Sequence, residues 1–147
     1  MANGTIAFDT LQTSGQITGT AKSVDTDFVV NGSAKCWINF NGTGTIATRD
    51  SFNVSSITDN GTGIFTVTIN NDFANVNYSA TIGSCGYDGG NDTRFQNFFY
   101  GGASGVGGHD WSNYVAGSFQ VMNKNVANDS FYVDPSLVTI NVHGDLA

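Results

Sequence analysis

Apolar and polar residues alternate with a period of two along much of this chain. Cys36, Ile38 and Phe40 alternate with Trp37 and Asn39. Phe65, Val67 and Ile69 alternate with Thr66 and Thr68, and Val138, Ile140 and Val142 with Thr139, Asn141 and His143. Val115, Phe119 and Val121 share one phase of a further segment, and Phe131 and Val133 follow it. Alternation of this kind sets one face of a strand against a core and the other in water, which is the antiparallel pattern. The segments recur at intervals of roughly eight to twelve residues with turn residues between them, a spacing that predicts a sandwich or barrel rather than βαβ units.

The punctuation supports this reading. Asn-Gly occurs at 3–4, 31–32, 41–42 and 60–61, a dipeptide suited to type I′ hairpin turns because both residues tolerate positive φ. Asp59-Asn60-Gly61-Thr62-Gly63 separates residues 51–58 from 64–69 and predicts a hairpin. Two regions depart from the pattern. Residues 1–30 are polar with sparse apolar positions and are expected to form outer strands or an arm. Residues 31–147 are expected to form the β-sandwich domain. Residues 83–108 hold nine glycines around the aromatic run Phe95–Tyr100 and read as long loops flanking one strand.

Composition narrows the fold further. Among 147 residues Glu is absent and Leu occurs three times, whereas Val, Ile and Thr together number 38. Helix formers are scarce and strand formers abundant, so the expected class is all-β with almost no helix. Twelve Asp against five basic residues give a net charge of -7, which repels phosphate backbones and argues against nucleic-acid binding. No apolar run approaches the ~18 residues that a membrane-spanning helix needs. Met1-Ala2-Asn3-Gly4 lacks the basic and apolar regions of a signal peptide, so folding in a cytoplasm is expected.

Catalytic chemistry is hard to find. There is no Glu for an acid/base pair, and the Asp residues sit mostly beside Gly, Asn, Ser or Thr, where they serve turns. His143 falls on the outward phase of the last strand. His109 lies in Gly107-Gly108-His109-Asp110-Trp111, a loop that either presents a polar-aromatic contact patch or ends as Trp111 plugs the core edge. His109 and Asp110 are adjacent and point apart, so they make no metal site. The Gly101–Gly108 run is followed by no helix and does not read as a phosphate loop. No enzyme activity, metal or cofactor is expected. Cys36 shares the inward phase with Ile38 and Phe40, and Cys85 the outward phase with Ser79 and Thr81, so two free thiols are expected. Trp37 lies on an otherwise polar phase, and Phe98 and Tyr100 oppose Phe95 and Phe99 on one strand. These three aromatics, Trp37, Phe98 and Tyr100, are candidates for an interface between subunits.

The run Ala34-Lys35-Cys36-Trp37-Ile38-Asn39-Phe40-Asn41-Gly42-Thr43-Gly44-Thr45-Ile46-Ala47, with Arg49–Gly63 after it, resembles a β-rich module of tailed-phage virion proteins. The module occurs at the distal ends of tail fibres and tailspikes and as small free-standing virion proteins. The match is dense over about residues 34–70. The family usually carries Ala or another small residue where Cys36 stands, and it has no catalytic residues to carry over. The resemblance implies an antiparallel, jelly-roll-like β-sandwich forming a homotrimer on the outside of a virion, made in the host and released by lysis. Within it, a capsid decoration (cement) protein on the outer head surface, bound to the major capsid protein, is the first expectation. A receptor-binding tip module of a tail fibre or tailspike is the alternative. It would contact host surface polysaccharide through Tyr87, Asp88, His109, Asp110 and Trp111. A glycan-cleaving enzyme ranks third.

Overall fold

The computed structural model describes residues 10–13, 22–86, 95–101, 115–125 and 131–147. The chain divides into two compact units, Met1–Ser33 and Ala34–Ala147. In the first, β1 (Thr10–Thr13) and β2 (Lys22–Asp25) pair antiparallel with Thr10 opposite Asp25. A short helix, α1 (Thr26–Gly32), follows directly and leaves Phe28, Val29 and Val30 exposed.

The second unit is an antiparallel β-sandwich, as the alternation predicts. One sheet has the order β4 (Ala47–Phe52), β3 (Cys36–Asn41), β11 (Leu137–His143), β7 (Ser79–Cys85). In the other, β5 (Val54–Gly61) pairs with β6 (Ile64–Ile69), and β6 pairs with β9 (Ser118–Asn125). The opposite edge of β9 carries β8 (Phe95–Gly101). Before the start of β6, β10 (Phe131–Tyr132) takes its place beside β9, opposite Lys124 and Asn125.

Gly63 makes that handover possible. It takes φ 70°, and a Cβ there would lie 2.6 Å from the Asn123 carbonyl oxygen and 2.7 Å from that of Val133. Only glycine combines this backbone angle with so close an approach. The Gly63 carbonyl accepts the Asn123 N–H at 2.8 Å, and its own N–H donates to Asp134 Oδ1 at 2.6 Å.

The core fills the space between the sheets. Cys36, Ile38 and Phe40 from β3 and Val138, Ile140 and Val142 from β11 meet Phe65, Val67, Ile69, Phe119 and Val121 from the facing sheet. Phe40 and Phe65 pack edge to face with ring centroids 5.2 Å apart, a favoured aromatic geometry. Phe73 and Tyr78, on the connection from β6 to β7, stack at 4.8 Å and close one end of the core.

The pattern predicts a hairpin over 51–69, and it forms between β5 and β6, but its first strand is broken. Asn53 takes φ 57° and divides residues 47–61 into β4 in one sheet and β5 in the other. Asparagine adopts this left-handed conformation more readily than other side-chain-bearing residues. Its amide fixes the crossing by donating to the Lys35 and Asn71 carbonyls, each at 3.0 Å, and accepting from the Asn71 N–H at 2.7 Å. The expected type I′ turns also differ. None of Asn31, Asn41 or Asn60 takes positive φ. Asn41 instead holds a five-residue loop through hydrogen bonds to Thr43, and Asn60-Gly61 sits in a bulge where the Gly61 N–H donates to Asp59 Oδ1. Val115 does not join the core face of β9. It is exposed, forms an isolated bridge with Ser118, and precedes a strand that starts at Ser118.

Candidate functional site

The β4-β3-β11-β7 sheet presents its outer face as a broad, mostly polar surface. Its register brings one row of side chains into line. Phe52 on β4 lies directly opposite Trp37 on β3, Trp37 opposite Asn141 on β11, and Asn141 opposite Thr81 on β7. A second row runs Asp50, Asn39, Thr139, Gly83. Directly opposed residues stand with their Cβ atoms about 4.5–5.5 Å apart on the same face. Trp37 is half-buried, Phe52 is 51% exposed, and Asn141, Thr81 and Asp50 are exposed. Two neighbouring aromatics thus stand at one end of a row whose other end carries an amide and a hydroxyl.

Local chemistry explains why the row holds its shape. Arg49 pins β4 down by donating to the Phe40 carbonyl at 3.0 Å and the Ser136 carbonyl at 2.6 Å. Gly83 leaves a low point beside Thr139, whose hydroxyl donates to the Gly83 carbonyl at 3.4 Å. Alternation does the rest, since Cys36, Ile38 and Phe40 anchor β3 from below while Trp37 and Asn39 stand above.

At one end of the sandwich, β7 leads into the glycine-rich region through Gly86, which takes φ 77°. The Gly86 carbonyl accepts the Ser136 N–H at 2.8 Å, and Ser136 Oγ donates to the Cys85 carbonyl at 3.3 Å. The β7 and β8 edges are joined where Ser84 Oγ donates to Asn97 Oδ1 at 2.6 Å and Asn97 Nδ2 to the Ile82 carbonyl at 3.4 Å.

The thiols behave as their strand phases predict. Both cysteines are free, Cys36 buried and Cys85 exposed. Burial pushes the Cys36 thiol up to about 11, because removal from water penalises the thiolate. This keeps Cys36 a packing residue in the neutral form. His143 is exposed on the same outer sheet face, as its phase predicts.

The sequence-derived loop residues Tyr87, Asp88, His109, Asp110 and Trp111 lie outside the described residues. Of the aromatics proposed for a subunit interface, Trp37 belongs to β3, whereas Phe98 and Tyr100 belong to β8 in the other sheet, opposite Met122 and Gln120 in the register. The sequence missed Phe52. Read as part of one strand over 51–58, it had no assigned partner. The sign that could have exposed it is the Asn at 53, whose left-handed turn frees Phe52 to align with Trp37.

No family model matches this chain, and no curated protein matches it. Among solved structures, the fold resembles part of the phiAB6 phage tailspike. That structure was solved in complex with three-repeated oligosaccharides of Acinetobacter baumannii surface polysaccharide. The TM-score is 0.53 at 15% sequence identity, over 92% of this chain. The chain spans about a quarter of the tailspike's length, 23%. At this identity the likeness establishes a shared β fold alone.

Proposed function

We propose that this protein is a structural component on the outside of a tailed-phage virion and that it contacts the host surface through polysaccharide. The observation that carries the reading is the tailspike-like fold over 92% of the chain, in agreement with the phage-module resemblance of residues 34–70. The tailspike likeness favours a place on the tail. The role is binding and support, with no catalytic step. A homotrimer is part of the proposal, because modules of the resembling family assemble in that way.

Capsid decoration is the second reading. It is favoured by the resemblance of residues 34–70 to a module that also occurs in small free-standing virion proteins, and it would pair the protein with the major capsid protein. Immunogold labelling of intact particles with an antibody against this chain separates the two. Gold at the tail is the expected result. Gold spread over heads supports decoration, and unlabelled particles overturn the virion assignment.

A further inference from the structure

The geometry points to the Phe52–Trp37–Asn141–Thr81 row as a platform for a neutral polysaccharide chain, one whose sugars carry no carboxylate or phosphate. This inference rests on the host-surface reading above and places the contact on a sheet face instead of the 83–111 loops.

A sugar ring offers a flat patch of C–H groups on one side and hydroxyls around its rim. The electron-rich face of an aromatic ring receives such C–H groups well. Trp37 and Phe52 supply two aromatic side chains directly opposite one another on adjacent strands. Asn141 and Thr81 continue the same row with a donor-acceptor amide and a hydroxyl, groups that pair with sugar hydroxyls.

The row crosses three strand-to-strand steps of about 4.8 Å, so it spans roughly 14 Å, enough for several linked rings. Its apolar part is small. A fully buried aromatic side chain removes about 150–250 Å² from water. Trp37 and Phe52 together therefore fall well short of the ~800 Å² per partner that a stable protein interface buries. The rows beside them are polar, with Asp50 and Asn39 next to Phe52 and Trp37. That patch suits a ligand one sugar ring wide.

The chain carries a net charge of -7, and Asp50 stands one row away on the same face. The Arg49 guanidinium also reaches the Asn39 side chain but is held by the Phe40 and Ser136 carbonyls, so the overall negative charge of the chain favours uncharged hexoses and N-acetylhexosamines over glycans rich in uronate or phosphate.

The test uses the full chain and an array of bacterial surface polysaccharides of defined structure, both neutral and uronate-bearing. Wild-type protein is expected to bind neutral members and to bind uronate-bearing ones weakly or not at all. Trp37→Ala should weaken binding about tenfold or more, and Phe52→Ala less, while Trp37→Phe retains most of it. If Trp37→Ala fails to fold, Phe52→Ala and Asn141→Ala, both at exposed positions, carry the test. Undiminished binding by these variants overturns the platform and leaves the host-surface reading standing. Wild-type protein that binds no polysaccharide also overturns it, and the particle labelling then decides the virion assignment by itself. If Phe52→Ala or Trp37→Ala instead splits an assembly in sedimentation while glycan binding persists, the patch is a contact between copies and the inference fails.

Discussion

The outer sides of the two sheets are used differently. On β3 burial alternates residue by residue, and Trp37 and Asn39 reach the surface between buried Cys36, Ile38 and Phe40. On β9 alternation is lost. Phe119 and Val121 face the core, yet Gln120 and Met122 between them are also buried, at 9% and 2% exposure. The sequence alternates over Phe119-Gln120-Val121 and then breaks, with apolar Met122 on the outward phase and Asn123 on the inward one, so the alternation marks which face meets the core without requiring the other face to stay wet. The β4-β3-β11-β7 sheet therefore keeps side chains at the surface between its core residues, whereas β9 is buried on both sides.

The largest effect belongs to the shared core. Phe65→Ala removes one partner of the edge-to-face pair with Phe40 and should cost about 3–5 kcal/mol, read from urea unfolding. Met122→Ala tests the covered side and should cost about 2–3 kcal/mol, because a buried side chain is lost although it points away from the central core. Asn141→Ala on the open face should change stability by less than about 0.5 kcal/mol. Equal costs for Met122→Ala and Asn141→Ala would erase the distinction between the two outer sides.

The crossing between the sheets comes next. Asn53→Ala forces an alanine into left-handed backbone and removes three side-chain hydrogen bonds, for a loss of about 1–3 kcal/mol. Asn53→Gly relieves the backbone cost and should recover part of the loss, so the difference between the two variants isolates the backbone contribution.

The smallest effects concern the thiols. Cys85 should react readily with a thiol reagent in the native state while Cys36 reacts only on unfolding, as counted by mass spectrometry. The folded Cys36 thiol lies near 11, above its ordinary 9.0, so folding favours the protonated form. That contribution is intact below pH 9 and is lost as pH rises toward 11. Cys36→Ala should abolish this alkaline loss at a cost of about 1 kcal/mol or less at neutral pH, since Ala is small enough for the same site.

Much of the sandwich was legible in the residues. Strands over Cys36–Asn41, Ile64–Ile69 and Leu137–His143 follow directly from alternation, because half-burial of a pleated strand demands period two. The same logic placed Cys36 inside and Cys85 and His143 outside, and it marked Trp37 as an aromatic on the wet side of its strand. The scarcity of helix formers set the class. The turns were less legible. Asn-Gly dipeptides signalled turns without fixing their type, since Asn41 and Asn60 spend their side chains on local hydrogen bonds instead of on positive φ.

Tertiary structure decided the rest, and for one physical reason: strand neighbours are non-local. Phe52 meets Trp37 only because Asn53 turns the chain from one sheet into the other, and the Trp37–Asn141–Thr81 row exists only because the last strand inserts between β3 and β7. A local pattern records which way each side chain points. It holds no record of which strand lies alongside, so the core was written in the sequence of each strand and the outer Phe52–Trp37–Asn141–Thr81 row was written in their register.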